Sequence, residues 1–344
     1  EALAVEDGID VAEKALGTAG MDLAFAAGGK RQTVFVGDSQ LHAAQGSALR
    51  IEPMGQSFGG CAGGDGRKFG GAIDALGDHG WNASAAFTGS LVGNTGEYDE
   101  QSGYVARIDG LVLKAQDYTM HVGVNASGIL NPPDTVAPGA TGAATVRLRE
   151  RPELRVDATR LVDTGNLSAK NLTAIGYELG GTYKNLLVTG EYFDISVDRT
   201  GTTPDADFSG WYAQGSWVIT GERHAWSAAA GGYGGVKVNK PFSMKTGDLG
   251  AWEVAARYST LDLNSGEGVA GLAAPTGGVR GGEQEVTTIG LNFYPNNVIR
   301  FLLDYQWVSV DRLNPTTALA SGVPLGAQIG QDYDAVALRT QLAF

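Results

Sequence analysis

The sequence predicts an all-β fold, a transmembrane antiparallel β-barrel, and three observations carry that prediction. Apolar and polar residues alternate over stretches long enough to cross a membrane. Short and long connections alternate between those stretches. The chain is poor in charge, with only 18% Asp, Glu, Lys and Arg, yet no run of ~18 apolar residues could form a membrane helix. With 52 Gly and 11 Pro in 344 residues and no three-residue glycine period, collagen and proline-rich disorder are excluded. Some of those glycines punctuate turns and bulges. Others, such as Gly215 and Gly290, are expected on inward positions where they leave room along a lumen.

The elements follow from the alternation. At the C-terminus, Val336, Leu338, Thr340, Leu342 and Phe344 share one face, opposite Ala337, Arg339, Gln341 and Ala343. Before them, Ile299, Phe301, Leu303, Tyr305 and Trp307 lie opposite Arg300, Asp304 and Gln306. Trp252, Val254, Ala256 and Tyr258 oppose Glu253 and Arg257 in the same way. Soluble sandwiches also alternate, but their strands average ~5–6 residues, whereas membrane strands need ~9–11. Strands are expected near 21–29, 30–40, 68–78, 81–92, 102–115, 118–130, 142–149, 153–163, 170–184, 185–198, 206–221, 247–263, 283–296, 297–310 and 333–344.

Tight turns are expected at Gly28-Gly29, Asp78-His79-Gly80, Gln116-Asp117, near Pro152, at Lys184-Asn185 and at Pro295-Asn296-Asn297. Longer loops fall near 41–67, 93–101, 131–141, 164–169, 199–205, 264–282 and 311–332, the asymmetry that outer-membrane barrels show. The stretch 222–246 breaks the rule: parity puts it on the short-turn side although it is long, so it is expected to fold into or under the pore. Parity also asks for one more strand before 21–29, for which 4–14 is the candidate, making sixteen.

The net charge of −13 gives a nucleic-acid partner no support. Acidic loop residues such as Glu97, Asp99, Glu100, Asp134, Asp332 and Asp334 account for much of it as solvated charge. One cysteine, Cys61, cannot form an internal disulfide, and four scattered histidines offer no metal spacing. Gly55-Gln-Ser-Phe-Gly59 matches a nucleophile elbow in form only, because no strand-turn-helix context surrounds Ser57. The reading is therefore not an enzyme and calls for no cofactor or metal.

Arg147, Arg149, Arg151 and Arg155 are all odd-numbered, so on one continuous strand they point the same way. A guanidinium facing lipid costs ~2–4 kcal/mol near the midplane, which sends the four to the lumen or an aqueous rim. There an anion would relieve their mutual repulsion and accept forked hydrogen bonds. A charged strand edge with Glu150 and Glu153 as partners is the plainer alternative.

The ordered segments TVRLRERPELRVDATRLVDTG (145–165), FSGWYAQGSWVITGE (208–222), VKVNKPF (236–242), GAWEVAARYSTLDLN (250–264), GLNFYPNNVIRFLLDY (290–305) and LRTQLAF (338–344) resemble the phosphate-selective porin O and P family of Gram-negative outer membranes. A weaker likeness reaches back to VFVGDSQ (34–40). The resemblance implies a sixteen-stranded homotrimer in the outer membrane, in contact with lipid and lipopolysaccharide, that passes inorganic phosphate or similar small anions. It implies that Arg147, Arg149, Arg151 and Arg155 form an arginine ladder and that Lys237, Lys240 and Lys245 match lysines gathered at the periplasmic exit. It also makes 41–67 the inward-folded constriction loop, although that stretch carries only Arg50 and Arg67 beside Glu52 and Asp65. The expectation is one barrel domain over 1–344, a passive channel biased toward phosphate-like anions. The alternative is a structural or interaction barrel with a non-selective or plugged lumen.

Overall fold

The structure, a computed structural model, describes residues 21–27, 30–36, 50–53, 68–76, 81–91, 102–132, 144–153, 159–227, 231–315 and 322–342. Its strands in chain order are β1 (Met21–Ala27), β2 (Lys30–Val36), β3 (Arg50–Pro53), β4 (Lys68–Leu76), β5 (Trp81–Leu91), β6 (Ser102–Lys114), β7 (Tyr118–Asn131), β8 (Thr145–Glu150) and β9 (Val162–Asp163). They continue as β10 (Leu167–Tyr183), β11 (Leu186–Arg199), β12 (Ala206–Val218), β13 (Trp226–Ser227), β14 (Gly232–Tyr233), β15 (Ala251–Ser265), β16 (Val279–Tyr294), β17 (Ile299–Asp311) and β18 (Asp332–Leu342). Among the described residues no helix is present.

Eleven of these strands form one continuous antiparallel wall in the order β18-β17-β16-β15-β12-β11-β10-β7-β6-β5-β4. Apart from β4, with 9 residues, each has 11 or more, enough to span a bilayer core at a tilt. Each expected strand at 68–130 and at 170–344 appears in this wall, and β1 pairs with β2 as a separate two-stranded sheet. The expected strand at 4–14 and the turns at 28–29 and 78–80 lie outside the described residues.

The wall is inverted relative to a soluble sheet. Ile175, Tyr177 and Leu179 on β10, Val188 and Tyr192 on β11, and Phe301, Leu303, Tyr305 and Trp307 on β17 are exposed. The alternate positions hold buried polar groups, among them Glu178, Glu191, Gln214, Glu253, Arg257, Asn292 and Gln306. Apolar outside and polar inside is the pattern a lipid-bathed barrel requires. Gly290 takes the inward position expected of it, between Ile289 and Leu291 on the outward face, but Gly215 lies on the outward face of β12 beside the buried Gln214 and Ser216.

Tight turns gather at one end of the wall. Ala115 N donates to Tyr118 O (2.8 Å), and Tyr183 pairs directly with Leu186 around Lys184-Asn185, where Lys184 takes φ 53°. A two-residue hairpin of that hand needs a positive φ, which accounts for a lysine in the left-handed region.

The segments at 142–149 and 153–163 are the correction. Both were expected as wall strands, counted among the sixteen, with a tight turn near Pro152. In the structure β7 pairs directly with β10, from Tyr118↔Tyr183 to Ile129↔Leu172, so the chain leaves the wall between them. The β8 strand has only 6 residues, and among the described residues of the expected 153–163 strand only Val162–Asp163 pair as a strand. Six residues are too few to cross a bilayer, and Val146 and Leu148 bury themselves against protein instead of lipid. They join Val162 in an apolar cluster with Leu172, Ile195, Val197, Phe208, Leu263, Val308 and Val310, all from the inward face of the wall at its long-loop half. Sequence phasing alone cannot separate a strand lying on this inner apolar patch from one lying in lipid.

Candidate functional site

Two groups of residues line the inward face, and a third lies beside the tight turns. The first is β8, which pairs with β3 (Arg50↔Arg149), with β9 (Arg149↔Asp163) and with the start of β10 (Val146↔Leu167). Along the strand Val146, Leu148 and Glu150 are buried, while Arg147 and Arg149 are half-buried on the other face; Arg151, also half-buried, follows the strand at the start of the turn. Two of the four predicted arginines thus share a strand face, Arg151 sits just beyond it, and Arg155 lies outside the described residues. Arg147 donates to Asp163 through both Nε (2.7 Å) and an Nη nitrogen, with its side chain one third exposed. That forked pair was not foreseen; the partners named from sequence were Glu150 and Glu153. Glu150 accepts from the Arg151 backbone N–H (2.8 Å), and Glu153 is turned to the wall, accepting from Arg257 Nε (3.1 Å) and Ser259 Oγ (2.7 Å).

The turn after β8 is consequently fixed. Glu153 adopts φ 54°, unusual for a residue with a side chain, and its N–H closes onto Arg151 O at 2.8 Å. Its partner Arg257 is itself held by Gln214 (2.9 Å) and stacks over the Tyr212 ring at 3.8 Å. At the other end Arg312 donates to the carbonyls of Leu161 (3.2 Å) and Asp163 (2.6 Å). The arginine face is therefore backed by apolar packing and clamped at both ends.

Burial alone would raise the Asp163 carboxyl. Hydrogen bonds from Arg147 and from the Gly165 N–H, with the charges of Arg147 and Arg312, outweigh it and hold the carboxyl below the usual aspartate range. The same hydrogen bond raises the Arg147 guanidinium above its ordinary value.

The second group is the 222–246 connection, whose described residues lie against the inward face of the wall at the tight-turn end. Its strands β13 and β14 pair as Trp226↔Tyr233 and Ser227↔Gly232. Arg107 on β6 is forked onto Glu178 of β10 (2.8 and 2.5 Å) and also donates to Gly231 O at 2.7 Å. Asp109 lies 3.4 Å from Arg107, and His121 lies 3.5 Å from Glu178. The His121 and Trp226 rings approach to 4.6 Å, and the Tyr233 hydroxyl meets Thr119 at 2.9 Å. Gly231 has φ 56° and sits so close to Arg107 and Asp109 that an added Cβ would lie within 2.5–2.7 Å of them. Beside β15, His224 of the connection presents one ring nitrogen to Gly234 O (2.8 Å) and the other to Glu253 (2.8 Å), which also accepts from Asn292 and Tyr294. None of these partners was singled out from sequence. Inward polar residues of separate strands come together only through register.

The third group is the lysines. Lys237 and Lys240 are exposed beside the tight turns, and Lys240 Nζ is 4.0 Å from Asp248. They follow directly from the lumenal segment, because Val236 and Val238 are buried against Val218, Ala251 and Tyr294. Most of the expected constriction loop 41–67 lies outside the described residues; the part described, β3, pairs with β8. Among the described residues no cluster of His, Cys, Asp or Glu could hold a metal.

No curated protein matches the chain. Residues 63–344 match the family described as phosphate-selective porin O and P. With its inverted wall and polar interior, the chain belongs to that family and is an outer-membrane β-barrel porin.

Proposed function

We propose that the chain is a passive diffusion channel for small solutes, biased toward phosphate-like anions, in which Arg147, Arg149, Arg151 and Arg155 form the anion track. The observation that carries this reading is the common half-buried face of Arg147 and Arg149, with the half-buried Arg151 directly after them, over a buried apolar underside. A strand packed on the inner wall by Val146 and Leu148 has only the lumen left for its other face. Neighbouring guanidiniums gain from an anion that bridges them, and a watery lumen keeps the affinity low enough for release. Lys237 and Lys240, exposed at the tight-turn end, act at the exit, which this reading places in the periplasm of a Gram-negative cell, with the connection 222–246 as the periplasmic-side segment of a single homotrimeric barrel domain.

The test is planar-bilayer recording in a chloride gradient with added phosphate. Anion-directed reversal potentials and block by phosphate are expected, and replacing Arg147, Arg149, Arg151 and Arg155 by Ala should weaken block by about 10-fold or more, as losing several charge-assisted contacts would. Cation preference, or unchanged block in the quadruple variant, removes the track. A plugged structural barrel is the second reading, favoured by the latch from Arg107 to Gly231 inside the wall. Absence of conductance from correctly folded protein would select it.

A further inference from the structure

The segment after Lys240 does something its position in the lumenal connection does not require. Val236 and Val238 pack on inward residues, but four residues later the chain has crossed the rim: Phe242 N donates to Pro295 O (2.7 Å), and the Phe242 ring meets Phe293 edge-on at 5.8 Å. Phe293 faces outward, opposite the buried Asn292 and Tyr294, and stacks with Trp252 (4.4 Å) and Phe301 (6.2 Å). The chain then folds back on itself. Ser243 and Asp248 bridge, Gly247 N donates to Ser243 O (2.9 Å) with Gly247 at φ 75°, and Trp252 Nε1 donates to Leu249 O (3.0 Å). The result is a small closed hook over the outer edge of the wall.

Its exposed residues are wrong for water. Met244 at the tip is 89% exposed, Leu249 64% and Phe242 44%, and Lys245 stands exposed next to Met244. A tight polar turn would serve equally well if the hook only joined two strands. Aromatic side chains gathered at the end of an outward apolar wall mark the level where a bilayer meets water. Apolar groups at that level with a lysine among them suit acyl chains and phosphate headgroups respectively, the lysine stem lying along the apolar surface with its ammonium in the headgroup layer.

We propose that residues 242–249 are an interfacial anchor that inserts Phe242, Met244 and Leu249 into the phospholipid leaflet at the tight-turn end, with Lys245 on lipid phosphate. The occupant is phospholipid because the hook continues the lipid-facing aromatic surface through Phe293 and Trp252. The anchor couples the lumenal connection to the bilayer, since one continuous segment packs inside through Val238 and outside through Phe242. It does not depend on which ion the lumen passes.

The experiment places an environment-sensitive fluorophore on Met244→Cys in a Cys61→Ser background, reconstituted as the full chain in vesicles of phosphatidylethanolamine and phosphatidylglycerol. Brominated acyl chains should quench the probe strongly and aqueous iodide only weakly. The same label on Asn264→Cys, at the long-loop end, serves as the reference for a site not set against this hook. Quenching by iodide without quenching by brominated lipid overturns the proposal. Protection from both overturns it too, because a neighbouring protein surface would then cover the hook. Phosphate block recorded on the same preparation reports the channel reading separately, so failure of either leaves the other standing.

Discussion

At the scale of single residues, Asp163 is paired with Arg147, the first arginine of the proposed track. Its carboxyl ionises at lower pH than a free aspartate, so the pair with Arg147 is intact above the ordinary aspartate range and is lost as pH falls through the depressed value. Protonation removes one negative charge from the arginine face and leaves Arg147 uncompensated. Acidification should therefore shift the reversal potential in a chloride gradient further toward the chloride limit, and Asp163→Asn should produce that shift at neutral pH and flatten the acid step. A freed guanidinium within ~4 Å of a passing anion in a watery lumen contributes about 1 kcal/mol, or ~5-fold in phosphate block. A variant with unaltered selectivity at neutral pH would show that Asp163 does not regulate the track. The shared face of Arg147 and Arg149 was legible from their odd numbering, because side-chain parity is a property of the backbone. The forked partner was not: Asp163 lies 16 residues from Arg147, across a turn whose path depends on Glu153 reaching Arg257 on a distant strand.

At the scale of elements, the β13-β14 hairpin hangs on a few buried polar contacts. Arg107→Ala would strip Glu178 and Asp109, both buried, of their shared guanidinium and release Gly231 O from its donor. Breaking a buried pair from one side costs about 3–5 kcal/mol, enough to free a short hairpin while the wall keeps its ladder bonds. Single-channel records should then show larger unitary conductance or increased open-channel noise, whereas Arg107→Lys should fall between the variant and the parent. Steady currents of unchanged size from Arg107→Ala would mean the hairpin is held by other contacts. The wall strands were legible because lipid outside and polar groups inside impose a strict period of two over 11 or more residues, as in β17 and β18. The β8 segment obeys the same period for another reason, packing Val146 and Leu148 on an inner apolar patch, and so it reads falsely as wall. Its six-residue length and the proline that follows were the available signals against a crossing strand.

At the scale of the whole molecule, low charge and abundant apolar surface are two sides of one inversion. The outward residues of β10, β11, β12, β16 and β17 would be a gross error in water, and the inward ones would be a gross error in a soluble core. Net charge is correspondingly a poor guide to ion preference, since −13 is a sum over the whole chain and selectivity follows the charges a solute meets. The inversion makes a depth-dependent claim about the outer surface. Leu303 lies within β17, away from its ends, and is 46% exposed, whereas Leu342 pairs with Ile299 beside the tight turns. Arginine at Leu303 should reduce the free energy of folding into phosphatidylcholine vesicles by about 2–4 kcal/mol, and arginine at Leu342 by only about 0–1 kcal/mol, because the headgroup layer can solvate a guanidinium and the acyl layer cannot. Urea titrations of vesicle folding measure both. Equal costs at the two positions would mean that the exposed face of β17 is covered by something other than a bilayer, since neither a partner subunit nor water grades the penalty with distance from the turn end.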